Sequence, residues 1–297
     1  MMSTIDLRPN AAVRVMFRRC KPIAGRLINK ANHASPFAAH PCTIASSTAS
    51  PPPFCQTIIK DSVGSRNLEA TYQAKRSLRW KIRKELKNMD PIQRSHEDNA
   101  IQSLVLEAPW FKASRSLCVY ISCASLREVD TSRIISEVLS NPPKEGNAQS
   151  RKKLYAPRVE DKNSNMRILK ITSVDDLMAN SMNILEPTLV DSDGNQREDA
   201  MQASEPVDLF ILPGLAFDRS GRRLGRSGGY YDMFLKKYQD LAKEHKWKPP
   251  LLVALSYTLQ IMEEGAIPVT SYDVPMDALV SPAGFTPISR AAIERCI

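Results

Sequence analysis

The sequence predicts an α/β protein with three α/β/α layers and a mostly parallel, Rossmann-like sheet. Three observations carry that expectation. Short apolar runs bounded by turn residues recur at 117–121, Leu209–Leu212 and Leu251–Leu255, the pattern of strands buried on both faces. Helical patterns alternate with these runs, which favours parallel strands covered on both sides. Finally, residues 209–235 join a strand, a glycine-rich basic loop and a helix start. Such a loop lies beyond the carboxyl end of its strand, where open α/β sheets hold ligands.

In chain order, a basic leader comes first. Residues 1–60 hold Arg8, Arg14, Arg18, Arg19, Arg26, Lys21, Lys30 and Lys60 against Asp6 alone, so they carry +7 of the formal +9. The arginines alternate with Val13, Val15, Met16, Phe17, Ile23 and Leu27, as in a basic amphipathic import helix. Residues 34–53 are Ala, Ser, Thr and Pro and predict disorder. No long apolar segment suits a secretory signal. The expectation is therefore a transit peptide and disordered leader at 1–60 and a single catalytic domain at 61–297. Dense, early arginines favour the mitochondrion; the alternatives are the plastid, or a cytosolic tail with no import.

The +2 left for the body argues against a nucleic-acid-binding face, and no run reaches the ~18 apolar residues of a membrane span. Cys20, Cys42, Cys55 and Cys296 lie outside the core pattern. Cys118 and Cys123 have no second pair and fit reduced core thiols better than zinc ligands or disulfides. His33, His40, His96 and His245 do not cluster, which disfavours histidine catalysis or a histidine-bound metal.

The folded body is expected from about Leu68. Leu78, Ile82 and Leu86 share one face of a helix at 72–88, with a solvated basic face beside it. Asp90-Pro91 predicts the cap and first residue of a second helix at 91–107. A strand at 117–121 precedes a helix carrying Ile134, Ile135 and Leu139. Strands follow at 154–157 and Met166–Ile171. The acidic stretch 190–206 reads as a mobile excursion. After the central strand, loop and helix come a strand at Leu251–Leu255, a short helix at 258–263 and a last strand at Ala278–Ser281.

The central loop contains Arg219, Gly221, Arg222, Arg223, Gly225, Arg226, Gly228 and Gly229, followed by Tyr230, Tyr231, Phe234 and Leu235 at helical spacing. Glycines admit phosphate oxygens to backbone N–H groups, and the helix start adds partial positive charge. The loop is neither a Walker A sequence nor GxGxxG, so a tight surface turn with solvated arginines is the competing reading.

Taken together, the motifs resemble the 5-formyltetrahydrofolate cyclo-ligase family from about Lys75 to Ser281. They are Lys75-Arg76-Ser77-Leu78-Arg79; Glu128-Val129-Asp130-Thr131; Tyr155-Ala156-Pro157-Arg158-Val159; Ile184-Leu185-Glu186-Pro187; Leu212-Pro213-Gly214-Leu215-Ala216-Phe217-Asp218; Arg223-Leu224-Gly225 through Tyr230-Tyr231-Asp232; and Gln260 with Asp273 and Asp277. The resemblance implies ATP-dependent cyclisation of 5-formyltetrahydrofolate to 5,10-methenyltetrahydrofolate through a phosphorylated formyl group, with release of ADP and phosphate.

The resemblance also implies roles. Lys75, Arg79, Arg223, Leu224, Gly225, Ser227, Gly228, Gly229 and Tyr231 would bind ATP. Ile121, Glu128, Arg226 and Tyr230 would bind the folate, Glu128 accepting from the pterin N–H groups. Arg226 and Tyr230 would act at the reacting end, and Asp232 and Asp273 would hold Mg²⁺. Asp232 also suits an ordinary first-turn helix acid. The folate, with or without a polyglutamate tail, and ATP are the expected partners. A monomer is expected, with neither nucleic acid nor membrane as partner. Two departures stand out: Ser227-Gly228-Gly229 replaces Gly-Lys-Gly or Gly-Gly-Gly, and Met182-Asn183 replaces an aromatic residue or glycine. Competing readings are an RNA- or nucleotide-binding module without catalysis, and a related ATP-dependent enzyme with another acceptor.

Overall fold

The computed structural model describes residues 53–140 and 152–296, with side chains from residue 67 onward. Helix α1, Pro53–Asn88, starts well before the expected residue 72. Among its described side chains, from residue 67 on, the first buried is Lys75. Asp90 then caps α2, Pro91–Glu107: its carboxylate accepts from the Ile92 and Gln93 N–H groups, and Pro91 takes the first turn. A short α3, Pro109–Ala113, leads into strand β1, Ser116–Val119. Helix α4, Ser132–Ser140, follows. Strands β2, Lys153–Val159, and β3, Met166–Ile171, form an antiparallel pair, and β4, Leu177–Ala179, pairs with β5, Leu185–Pro187.

The second half begins with β6, Leu209–Leu212, then β7, Ala216–Asp218, and β8, Arg223–Leu224. Helix α5 covers Tyr230–Glu244, and β9 covers Leu251–Leu255. The expected helix at 258–263 is a single 3₁₀ turn, Thr258–Gln260, running into β10, Ile261–Met262, which pairs with β7. Gln260 explains the early stop: its side chain is spent on the Tyr257 N–H and on the Gly214 and Leu215 carbonyls. Strand β11, Ala278–Ser281, is not the last. β12, Gly284–Pro287, returns antiparallel to it before α6, Arg290–Glu294.

The main sheet has the order β12-β11-β9-β6-β1-β2-β3, with antiparallel strands only at its two edges. The chain winds outward from β1 to β2 and, in the other direction, from β6 to β9. The topological switch point is therefore the crevice beyond the carboxyl ends of β1 and β6. Strand side chains alternate between faces. Leu117, Val119, Leu209, Ile211 and Val253 pack with Ile82, Ile101, Trp110 and Ile134 from α1 to α4. Cys118, Phe210, Leu212 and Leu252 pack with Phe234, Leu235 and Tyr238 from α5. Each such side chain stabilises the fold by about 1.5–3 kcal/mol. Cys118 and Cys123 are buried free thiols, and burial pushes the Cys118 thiol up.

The stretch at 190–206 is no loose excursion. Its charges are paired against the sheet edge: Arg197 with Asp176 at 2.9 Å, and Asp199 with Arg167 at 2.8 Å. The Lys170 N–H donates to the Glu198 carbonyl, and the Ala200 N–H to that of Ile168, so the segment lies along β3. Among the described residues no helix is long and apolar enough to cross a membrane.

Candidate functional site

The glycine loop crosses the switch point between β8 and α5. Ser227 has φ 112° and Gly229 φ 68°, so Ser227 bears the strain expected of a side chain in glycine's region. At Gly228 a Cβ would lie 2.3 Å from the Tyr230 ring, which excludes any larger residue in this conformation. The loop is tied on two sides. From α1, Arg79 Nε donates to the Gly225 carbonyl at 2.8 Å and Arg83 Nη2 to the Arg226 carbonyl at 3.0 Å. From the β2–β3 turn, Ser164 Oγ donates to the Gly228 carbonyl, while the Tyr230 hydroxyl donates to the Asp161 carbonyl at 2.9 Å. Among the described residues, the N–H groups of Arg226, Ser227, Gly228 and Gly229 donate to no protein acceptor. Carbonyls engaged and N–H groups free is the arrangement an anion needs.

Arg226 reaches into the crevice. Its Nε donates to Glu128 Oε1 at 3.1 Å, and its Nη2 donates to the Leu126 carbonyl. Glu128 Oε2 accepts from the Cys123 N–H at 3.1 Å. Burial raises the Glu128 carboxyl above the usual glutamate range, although Arg226 and Cys123 pull the other way. The Glu128 backbone is fixed from below. Its carbonyl lies 3.0 Å from the Tyr257 hydroxyl, which also donates to Asp98 at 2.7 Å and accepts from Arg94 Nε at 3.1 Å.

Two cavities flank the loop. One, of about 480 Å³, is lined by Ile121, Leu126, Glu128, Pro157, Met166, Met182 and Glu186, and by Arg223, Gly225 to Tyr231 and Asp232. The other, of about 490 Å³, lies along α1 and is lined by Tyr72, Arg76, Arg79, Arg83 and Ser227. Ser227 lines both. The expected folate residues Ile121, Glu128, Arg226 and Tyr230 thus converge on the apolar cavity. Of the residues expected at ATP, Arg79 and Ser227 line the basic cavity, whereas Arg223, Gly225, Gly228, Gly229 and Tyr231 line the apolar one. Leu224 is a core residue with no exposed surface. The sequence reading gave no role to Pro157 or Glu186, although both sit in motifs it singled out.

Asp232 and Asp273 are brought together, 41 positions apart in the chain. Asp232 Oδ1 accepts from the N–H of Val274, the residue after Asp273, at 3.1 Å. Each carboxylate is held by a buried cation. Asp232 Oδ2 pairs with Arg223 Nη2 at 2.9 Å. Both oxygens of Asp273 accept from Lys75 Nζ, at 2.6 and 2.5 Å. Burial works against the charge of Asp273, but Lys75 and the Thr270 donors hold its carboxyl below the usual aspartate range. Arg223 also donates to the Pro213 carbonyl, leaving its buried Nε without a partner. Among the described residues no cluster of three or more His, Cys, Asp or Glu side chains forms a metal site by itself. The pair fits Mg²⁺ only in its usual nucleotide role, with one or two carboxylates and the rest from phosphate and water.

The chain matches the model of the 5-formyltetrahydrofolate cyclo-ligase family over residues 71–282. A mitochondrial 5-formyltetrahydrofolate cyclo-ligase of Arabidopsis thaliana is 59% identical over 245 residues, 82% of this chain and 87% of that protein. The mouse 5-formyltetrahydrofolate cyclo-ligase is 30% identical over 210 residues, 70% of this chain and 93% of that one. The NMR structure of 5,10-methenyltetrahydrofolate synthetase from Aquifex aeolicus superposes with TM-score 0.55 and 27% identity, covering 72% of this chain and 92% of that one.

Proposed function

The chain belongs to the 5-formyltetrahydrofolate cyclo-ligase family and is an ATP-dependent ligase converting 5-formyltetrahydrofolate to 5,10-methenyltetrahydrofolate, and we propose that it works by phosphorylating the formyl oxygen. One observation carries the proposal: a single arginine-bearing loop is the common wall of an apolar and a basic cavity, with Ser227 lining both. The pterin end of the folate occupies the first. The triphosphate lies along α1 and over the loop's free N–H groups.

In that arrangement the formyl oxygen attacks the γ-phosphorus and ADP leaves. N10 then attacks the formyl carbon, its proton is lost, and the C–O bond breaks to release phosphate. An amide oxygen is a poor leaving group; as phosphate it is a good one. The protein's task is alignment and charge neutralisation, which arginine, lysine and backbone N–H groups perform without a histidine base. Arg226 is placed to leave Glu128 for the transferring phosphoryl group. Tyr230, fixed through Asp161, borders the reacting end. Arg79 lines the basic cavity and would meet the phosphate chain directly, whereas Lys75 lines neither cavity and would act from beneath, through the Asp273 carboxylate that it holds. Asp232 and Asp273 would hold Mg²⁺, which supplies charge neutralisation on the phosphates when bound. The enzyme acts in the mitochondrion: residues 1–60 have import-type composition, and the Arabidopsis relative bears a mitochondrial name.

The test uses 5-formyltetrahydrofolate labelled with ¹⁸O in the formyl group. Methenyl absorbance should rise with ATP and Mg²⁺, and the label should appear in inorganic phosphate. Label released into water would refute phosphorylation of that oxygen. No absorbance change would refute the activity.

A further inference from the structure

We propose that Glu186 is a second substrate-reading residue, whose carboxylate accepts an N–H of the folate's heterocycle; this rests on the apolar cavity being the folate site. Glu186 lies in β5 and is only 7% exposed, yet it lines that cavity. Among the described residues no cation lies within ion-pair distance of it, unlike Glu128, Asp232 and Asp273. Its one hydrogen bond comes from the Val159 N–H to Oε1 at 3.2 Å. That donor belongs to the last residue of β2, beyond the end of β1.

Its surroundings give the charge little else. Pro157, Val159, Ile184 and Leu185 line the same wall. A buried carboxylate with one donor for two oxygens is costly unless something supplies more. Glu128 differs, because both its oxygens are already engaged, by Arg226 and by Cys123. The free acceptor capacity of the cavity is therefore concentrated at Glu186. A reduced pterin offers what it lacks: an exocyclic amino group and ring N–H groups along one edge. Glu128 and Glu186 line the same cavity, so one flat ring can meet both carboxylates.

The bland alternative is that Glu186 merely caps the Val159 N–H. Glu186→Gln separates the two, because a glutamine carbonyl oxygen still accepts that bond while the charge is gone. Binding of 5-formyltetrahydrofolate without ATP, followed by calorimetry, should weaken about tenfold, as for loss of one charge-assisted hydrogen bond. The KM for ATP and the melting temperature should hold. Unchanged folate affinity, with or without a lower melting temperature, overturns the role. If wild-type protein binds no 5-formyltetrahydrofolate, the cavity assignment falls as well, and the variant is not needed to show it.

Discussion

Arg226 is a cation that two sites compete for. In the free protein its guanidinium is spent on Glu128 and the Leu126 carbonyl, inside the apolar cavity. In the proposed transfer its charge would be needed most when the phosphoryl group is between oxygens, so its contribution would belong to the transition state. Arg226→Ala should lower kcat by about 10²–10³-fold, the scale seen for lost transition-state donors, with a smaller change in KM. Steady-state kinetics at varied ATP decides it: a raised KM at constant kcat would make Arg226 a ground-state binder. Arg226 and Glu128 are 98 positions apart, and no local pattern links them. Only the switch-point topology does, so the sequence could suggest each residue but not the pair. Ser227 is a local case: it stands where the family pattern has glycine, and its backbone has a positive φ that glycine adopts without strain.

Among the elements, α1 is joined to the body by the apolar packing of Ile82 and Leu86 and by ion pairs and loop contacts. Among its described side chains, from residue 67 on, Lys75 is the first buried, and the ion pair with Asp273 spans 198 positions. Removing residues 1–60 should therefore leave a soluble protein with unchanged kcat, measured by the methenyl absorbance assay; loss of activity would mean the leader has a role in the fold. Asp273→Asn is expected to do two separable things. It leaves Lys75 buried without its partner, at a cost of about 3 kcal/mol. The Asp273 carboxyl is held below its usual range, so its stabilisation is complete above the ordinary aspartate value of about 3.9 and is lost as pH falls through the lower folded value. The stability gap between wild type and variant, from denaturant melts, should be constant near neutrality and shrink below about pH 4. The same variant, and Asp232→Asn, should raise the Mg²⁺ needed for half-maximal rate, with a non-additive double mutant. Because both acids also pair with buried cations, lower stability alone does not test the metal role; unchanged Mg²⁺ dependence does. The central strands β1, β6, β9 and β11 were legible because parallel strands buried on both faces read as unbroken apolar runs. The β4–β5 hairpin was not, because its strands are three residues long and partly exposed. Nor were the stretch at 190–206 and the turn at 258–260, because partners distant in sequence hold them: Arg197 is folded in by Asp176, and Gln260 by Gly214 and Leu215.

At the scale of the whole molecule, the proposed function makes the two cavities interdependent. Their common wall is one strained loop, held from the α1 side through its carbonyls and from the folate side through the Arg226 side chain. In the proposed reaction a pterin arriving at Glu128 would compete with Arg226 for that carboxylate and free the guanidinium to turn toward phosphate. A triphosphate arriving over the loop would draw Arg226 the same way and clear Glu128. Each ligand would then perform part of the rearrangement the other requires, which predicts positive coupling through a named element. A non-hydrolysable ATP analogue with Mg²⁺ should tighten 5-formyltetrahydrofolate binding by about fivefold, or ~1 kcal/mol. Linkage requires the folate to tighten the analogue by the same factor. Arg226→Ala should bring both factors close to one, since the shared group is gone, while Arg76→Ala, on the basic cavity's outer wall, should weaken the analogue and leave the coupling intact. Calorimetric titrations of each ligand in the presence and absence of the other measure all of these. Independent binding in the wild type, or coupling that survives Arg226→Ala, would mean that the loop merely separates the two sites.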